Sequence, residues 1–132
     1  MHIDPSPEQL ADFAAKIGDA QPVYMLNLLR FKDRVDEHNG MSGFELYGRY
    51  AAATAHHLER VGGELLWAGG PDASLIGPVE REWDLVALVR YPSRQAFLDM
   101  IGDADYFETS RLRSASLADS RLIPCANLPL PS

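Results

Sequence analysis

Several polar residues stand inside apolar runs, where their chemistry would count. Asn27 and Arg30 interrupt Val23-Tyr24-Met25-Leu26-Asn27-Leu28-Leu29-Arg30-Phe31. An amide and a guanidinium facing a pocket could hold a carbonyl or a carboxylate. Otherwise Asn27 bonds neighbouring backbone and Arg30 emerges at the strand end. Their opposite parity keeps them from sharing one cavity unless a bulge intervenes. His57, at the edge of an apolar helix face, could act as a base near pH 7 or simply be half-buried. His56 and His57 are adjacent on that helix and project about 100° apart, so they are not expected both to ligate one metal. Tyr47 and Tyr50 fall on the inward face, as core aromatics or as hydroxyl donors polarising a substrate oxygen. Asp84, after Trp83, could be a buried carboxylate with a raised pKa, or it could cap a turn or pair with an arginine. Trp67 and Trp83 could wall a site for an apolar or aromatic ligand, or pack across a dimer. Tyr106, Arg111 and Arg113 lie on the last helix, where Arg111 or Arg113 could clamp an anion or form surface ion pairs.

The elements that must position these groups are legible from periodicity and caps. Ser6-Pro7-Glu8-Gln9 is a capping box with proline at the first helical position. Leu10, Phe13, Ala14 and Ile17 follow at helical spacing, and Gly18 is a stop. Residues 22–31 read as a strand apolar on both parities. Ser42-Gly43-Phe44-Glu45 opens a second helix reaching Val61, with Phe44, Tyr47, Tyr50, Ala51, Thr54, Leu58 and Val61 on one face and His56 solvated. Glu64–Ala68 is the second strand, followed by turn residues Gly69-Gly70-Pro71-Asp72. Ala73–Ile76 is a short extension or hairpin partner. Trp83–Tyr91 is the third strand. Ser93 caps a helix that Gly102 breaks and Asp103 or Asp105 restarts, with Tyr106, Leu112 and Ala115 on its face. Ser120–Cys125 is the last strand.

The order strand-helix-strand-strand-helix-strand is the split βαβ pattern of ferredoxin-like folds. The expected fold is therefore α+β, a four-stranded antiparallel sheet with two helices on one face, plus a short N-terminal helix. Residues 1–132 form one domain: a core over 22–126, an N-terminal extension over 1–21 and an extended tail over 127–132. Because the first and third strands are apolar on both parities, the second sheet face also needs cover. A second copy of the sheet is the economical cover, so a homodimer through the sheet face is expected.

Gly62-Gly63, Gly69-Gly70, Ile76-Gly77, Trp83-Asp84, Arg90-Tyr91-Pro92-Ser93, Tyr106 and Asp119-Ser120-Arg121-Leu122-Ile123-Pro124 stand in an order and spacing that resembles the domain-of-unknown-function 1330 family. Tyr24 to Lys32 is similar to it as well, so the match runs over roughly residues 22 to 126. The resemblance implies the dimeric α/β-barrel superfamily, whose ferredoxin-like subunits pair through their sheets. It carries no established general reaction. Some relatives in that superfamily bind haem through a helix histidine, but nothing beyond His57 marks a haem pocket here.

Composition narrows the function classes. Nineteen acids against twelve bases leave a net charge of −7 with no basic run, which argues against nucleic acid and anionic membranes. No apolar run approaches the roughly 18 residues of a membrane span. The N-terminus lacks the regions of a signal peptide, so a cytoplasmic location is expected. Cys125 is single and reads as a buried thiol. No P-loop, G-x-G-x-x-G, G-x-S-x-G, H-E-x-x-H or EF-hand loop is present, and neither a cofactor nor a metal is expected. Two functional readings remain, beside a third in which dimerisation consumes the apolar face and leaves no pocket. One is an enzyme without a cofactor, of oxygenase, isomerase or dehydratase type, acting on a small apolar or aromatic carbonyl or carboxylate compound. There Asn27 would orient, Tyr50 donate, and His57 and Asp84 act as bases. Arg30, Tyr47, Trp67, Trp83, Tyr106 and Arg111 would bind the ligand. The other is a dimeric module that binds a small molecule without catalysis. A titratable group inside the cavity favours the first, and a lining of aromatic and aliphatic groups favours the second.

Overall fold

The computed structural model describes residues 1–16 and 21–131. Nine elements follow one another: α1 (Pro7–Ala14), β1 (Val23–Phe31), a 3-10 turn (Asp36–His38), α2 (Gly43–Arg60), β2 (Glu64–Gly69), β3 (Leu85–Tyr91), α3 (Arg94–Ile101), α4 (Ala104–Ser116) and β4 (Leu117–Cys125). The strands form one antiparallel sheet in the order β2-β3-β1-β4. This is the expected ferredoxin-like arrangement, with Gly102 and Asp103 dividing the second helix into α3 and α4.

Each helix begins on the residue type that can satisfy its first free N–H groups. Ser6 and Gln9 exchange side-chain to backbone hydrogen bonds of 3.1 Å at the start of α1. Ser42 Oγ accepts from Glu45 N–H, and Ser93 Oγ accepts from Ala96 N–H. Asp103 Oδ1 accepts from the N–H groups of both Asp105 and Tyr106. Ile17 and Gly18, expected in and after α1, lie outside the described residues.

Alternation along β1 divides the sheet into two faces. Val23, Met25, Leu29 and Phe31 are buried under the helices, while Tyr24, Leu26, Leu28 and Arg30 are half-buried on the opposite face. There Leu26 stands in register with Leu88 of β3 and Ile123 of β4, Leu28 with Val86, and Trp67 with Leu88. Among the described residues no helix or strand packs over this row, and Trp67 is 58% exposed.

Four boundaries or faces differ from the sequence reading. Strand β3 starts at Leu85 rather than Trp83, because Asp84 takes over the edge pairing. Its N–H donates to Leu29 O at 2.7 Å, and its carboxylate accepts from Phe31 N–H at 2.9 Å. Ala73–Ile76 form no strand and stand out from the fold within the β2–β3 connection. Strand β4 begins at Leu117, three residues early. On α2 the buried residues are Leu46, Tyr50, Thr54 and His57, whereas Phe44 and Ala51 are exposed. Helix α4 packs along α2 and adds a second buried flank that a single-face pattern does not contain. Cys125, expected to be buried, is half-exposed at the end of β4, in register with Tyr24 on the open face.

Candidate functional site

A cleft of about 760 Å³ opens between the N-terminal segment, α1, α3 and β4. Met25, Phe97, Phe13, Leu122 and Pro124 give it an apolar floor, and Asp4, Glu8, Asp12, Lys16 and Arg94 line it as well. The Arg94 guanidinium lies 4.5 Å from the centre of the Phe13 ring. One wall is the extended segment His2–Pro5, tied down along its length. His2 N–H donates to Asp119 Oδ1 at 3.0 Å, Ser120 Oγ donates to His2 O at 2.7 Å, and Ser114 Oγ donates to Asp4 Oδ1 at 2.8 Å. Arg113 Nη1 donates to Ile3 O at 2.8 Å and lies 3.7 Å from Asp4 Oδ1. Its side chain is only 12% exposed. A guanidinium has five N–H donors, and the Ile3 carbonyl takes one. The cleft thus presents a nearly buried cation with donors to spare above an apolar floor.

Four tyrosines sit behind that floor. Tyr50 and Tyr106 share the core cluster with Phe13, Met25, Tyr91 and Phe97, and Tyr47 packs against it. The Tyr50 and Tyr106 hydroxyls are 2.8 Å apart. Burial pushes the Tyr47 hydroxyl up to about 12, reinforced by Tyr50 and opposed by the Arg113 charge. Tyr91 and Tyr106 are raised further, again chiefly by burial. Tyr47, Tyr91 and Tyr106 therefore stay neutral, able to donate hydrogen bonds but not to serve as bases. Two hydroxyls joined by one hydrogen bond leave one proton over, and among the described residues it has no acceptor.

A second polar cluster joins α2 to α4. His57 is 3% exposed, and its Nε2 lies 2.8 Å from Asp105 Oδ2. Arg60 Nη2 lies 3.1 Å from His57 Nδ1. Arginine only donates, so Nδ1 accepts and the ring proton sits on Nε2, facing Asp105. His56 Nε2 is 3.7 Å from the same Asp105 oxygen, and the two imidazole rings are 4.0 Å apart. The expectation that adjacent histidines diverge is thus overturned: Asp105 stands between them, and both rings turn toward it.

The domain-of-unknown-function family DUF1330 matches residues 22–124. The chain belongs to this family. RPA0582 of Rhodopseudomonas palustris, a protein of unknown function, is 39% identical over 98% of both chains, with a TM-score of 0.90. Two more distant structures share the fold alone. A dimeric ferredoxin-like protein of unknown function from Bacteroides fragilis is 9% identical over 80% of this chain and 96% of its own, with a TM-score of 0.53. The hydroxynitrile lyase of Passiflora edulis is 13% identical over 86% of this chain and 100% of its own, with a TM-score of 0.58. No curated protein matches the chain.

In this DUF1330 chain the residues singled out from sequence do not gather into one site. Tyr47, Tyr50 and Tyr106 come together behind the cleft, and His57 lies nearby with its ring edge-on to Tyr106 at 5.8 Å. Asn27 shares the helix-side parity of β1, and its Nδ2 donates to Met25 O at 3.2 Å. Arg30 and Trp67 lie on the open sheet face, Arg30 3.6 Å from Asp119. Asp84 is engaged by Phe31 N–H and lies 3.2 Å from Arg81, at the far end of β3. Trp83 stacks under the Arg121 guanidinium at 5.2 Å. Arg111 is exposed and pairs with Glu108 at 3.5 Å, whereas Arg113, two residues on, turns inward. His57 and Asp84, the two candidate bases, do not line the cleft. The sequence reading did not single out the Asp103-Asp105 pair or Arg60, whose roles arise only where α4 meets α2.

Proposed function

We propose that the protein is a cytoplasmic homodimer, paired through the open sheet face, in which each cleft binds a small apolar or aromatic carboxylate or carbonyl compound. The observation that carries this reading is Arg113, a cation 12% exposed at the cleft, whose one hydrogen-bond partner among the described residues is Ile3 O, with Asp4 Oδ1 3.7 Å away. A buried guanidinium is costly unless an anion or good acceptors complete its shell. Phe13, Met25 and Phe97 offer an aromatic and thioether floor for the ligand's body. Binding is favoured over catalysis because His57 and Asp84 do not line the cleft, Tyr47, Tyr91 and Tyr106 are held neutral, and of the carboxylates that do line it Asp4 is engaged by Ser114 and Arg113 and Asp12 by Lys16.

Calorimetric titration with matched aromatic acids and their methyl esters tests the reading. Acids should bind, esters should bind at least about tenfold more weakly, and Arg113→Gln should erase the difference. Equal affinity of acid and ester would sink it.

One observation favours a second reading, an enzyme without a cofactor. The spare proton of the Tyr50–Tyr106 pair, behind the cleft floor and in the field of Arg113, would polarise the carbonyl oxygen of a ligand that reaches past that floor. On that reading Tyr106→Phe lowers kcat for a carbonyl substrate with little change in KM. On the binding reading no turnover is seen.

A further inference from the structure

We propose that His56, His57 and Asp105 form a site for a divalent first-row transition ion of the zinc type, bridging α2 and α4. Their candidate ligand atoms all lie within 4.8 Å of one another. Two imidazoles and one carboxylate match zinc's preferences, and three protein ligands leave a fourth position for water. Bonds of about 2.0–2.2 Å in tetrahedral array put ligand atoms roughly 3.3 Å apart. His57 and Asp105 are closer than this, at 2.8 Å, and His56 and Asp105 slightly farther, at 3.7 Å. The adjustment falls on the two side chains free to make it. His56 and Asp105 are 65% and 72% exposed, while buried His57 stays as the fixed point.

The ion must displace a proton. His57 carries it on Nε2, where it now faces Asp105. Ligation through Nε2 moves that proton to Nδ1, leaving the ring neutral. Nδ1 then needs an acceptor in place of the Arg60 donor. Asp103 Oδ1, 3.9 Å away, is placed for this, and Arg60 Nη2 is already 3.7 Å from Asp103 Oδ2. The result is a carboxylate–imidazole–metal chain in which the Asp103 carboxylate fixes the tautomer of the ligating ring. Arg60 therefore acts as a gate that opposes the ion. None of the three ligands lines the cleft, so the site stands or falls separately from the proposed function.

The test is calorimetric zinc titration of the full chain without a polyhistidine tag, with thermal melting alongside. One ion per chain is expected, with a melting temperature that rises with zinc. Asp105→Asn and His56→Gln, both on exposed side chains, should each weaken binding at least tenfold and abolish the rise. Arg60→Gln should tighten binding by removing the opposing donor. Absence of saturable binding in the wild type would overturn the proposal. So would unchanged affinity in Asp105→Asn, or affinity unchanged in a folded His57→Gln chain, since the exposed pair alone would then be catching the ion.

Discussion

Asp119 gathers a short network that fixes one wall of the cleft. Its carboxyl is held down to about 2, first by the His2 N–H, then by Arg121 and its neighbour Ser120. In the unfolded chain it titrates near its ordinary 3.8. Because the folded value is the lower one, the stabilisation is complete above that ordinary value and drains away as pH falls towards about 2. Asp119→Asn should therefore melt at a lower temperature than wild type near neutral pH, and the two melting curves should converge towards pH 2. Curves that stay parallel across that window would show that the His2 contact contributes nothing. The tyrosines and His57 were visible as candidates because inward helical spacing marks them. Arg113 was not separable from Arg111 by type or by pattern. What divides them is a half-turn of α4 and the Ile3 carbonyl, which the N-terminal segment brings from the other end of the chain.

At the scale of elements, Gly43 shows why local pattern was not enough. Sequence marks it only as the residue after a helix cap. In the fold it is the point where the end of β1, the start of α2 and the end of α4 meet. Its N–H donates to Lys32 O at 2.8 Å, and Lys32 N–H donates to Ser116 O at 2.9 Å. A Cβ there would strike Ser116 O and lie 2.6 Å from Lys32 O. These are backbone atoms that cannot rotate aside. Gly43→Ala gains about 1 kcal/mol of helix propensity, but overpacking costs about 1–3 kcal/mol, so a net loss is expected in the denaturant midpoint. Gly48, exposed on the same helix with nothing within 4 Å of a built Cβ, is the control. Gly48→Ala should stabilise by about 0.5–1 kcal/mol. If both substitutions stabilise, the three-way junction is looser than its distances imply. The order of elements along the chain and the helix caps were readable because each depends on neighbours in sequence. The shifted face of α2 and the early start of β4 were not, since both are set by α4 lying alongside.

At the scale of the whole molecule, the described residues leave one apolar face of the sheet uncovered. Tyr24, Leu26, Leu28, Val86, Leu88, Trp67 and Ile123 share the face of the sheet opposite the helices. Beyond that face the β2–β3 connection carries Leu75, Ile76 and Val79, at 99%, 96% and 86% exposure. A lone soluble domain seldom keeps so much contiguous apolar surface in water, and a two-fold partner presents the same surface in return. Leu26 sits between Leu88 and Ile123 near the middle of the patch. Leu26→Arg would place an unpaired charge on both sides of the symmetric contact, a cost of several kcal/mol in a desolvated interface. Sedimentation should find wild type as a dimer and Leu26→Arg as a monomer, with helical circular dichroism preserved because the side chain points away from the core. Truncating Leu75, Ile76 and Val79 together to serine separates two roles for the connection. A weakened dimer would mean it reaches onto the partner, and an unchanged dimer would confine the contact to the sheet. A wild-type chain that sediments as a monomer would remove the physical reason for β1 and β3 to be apolar on both sides.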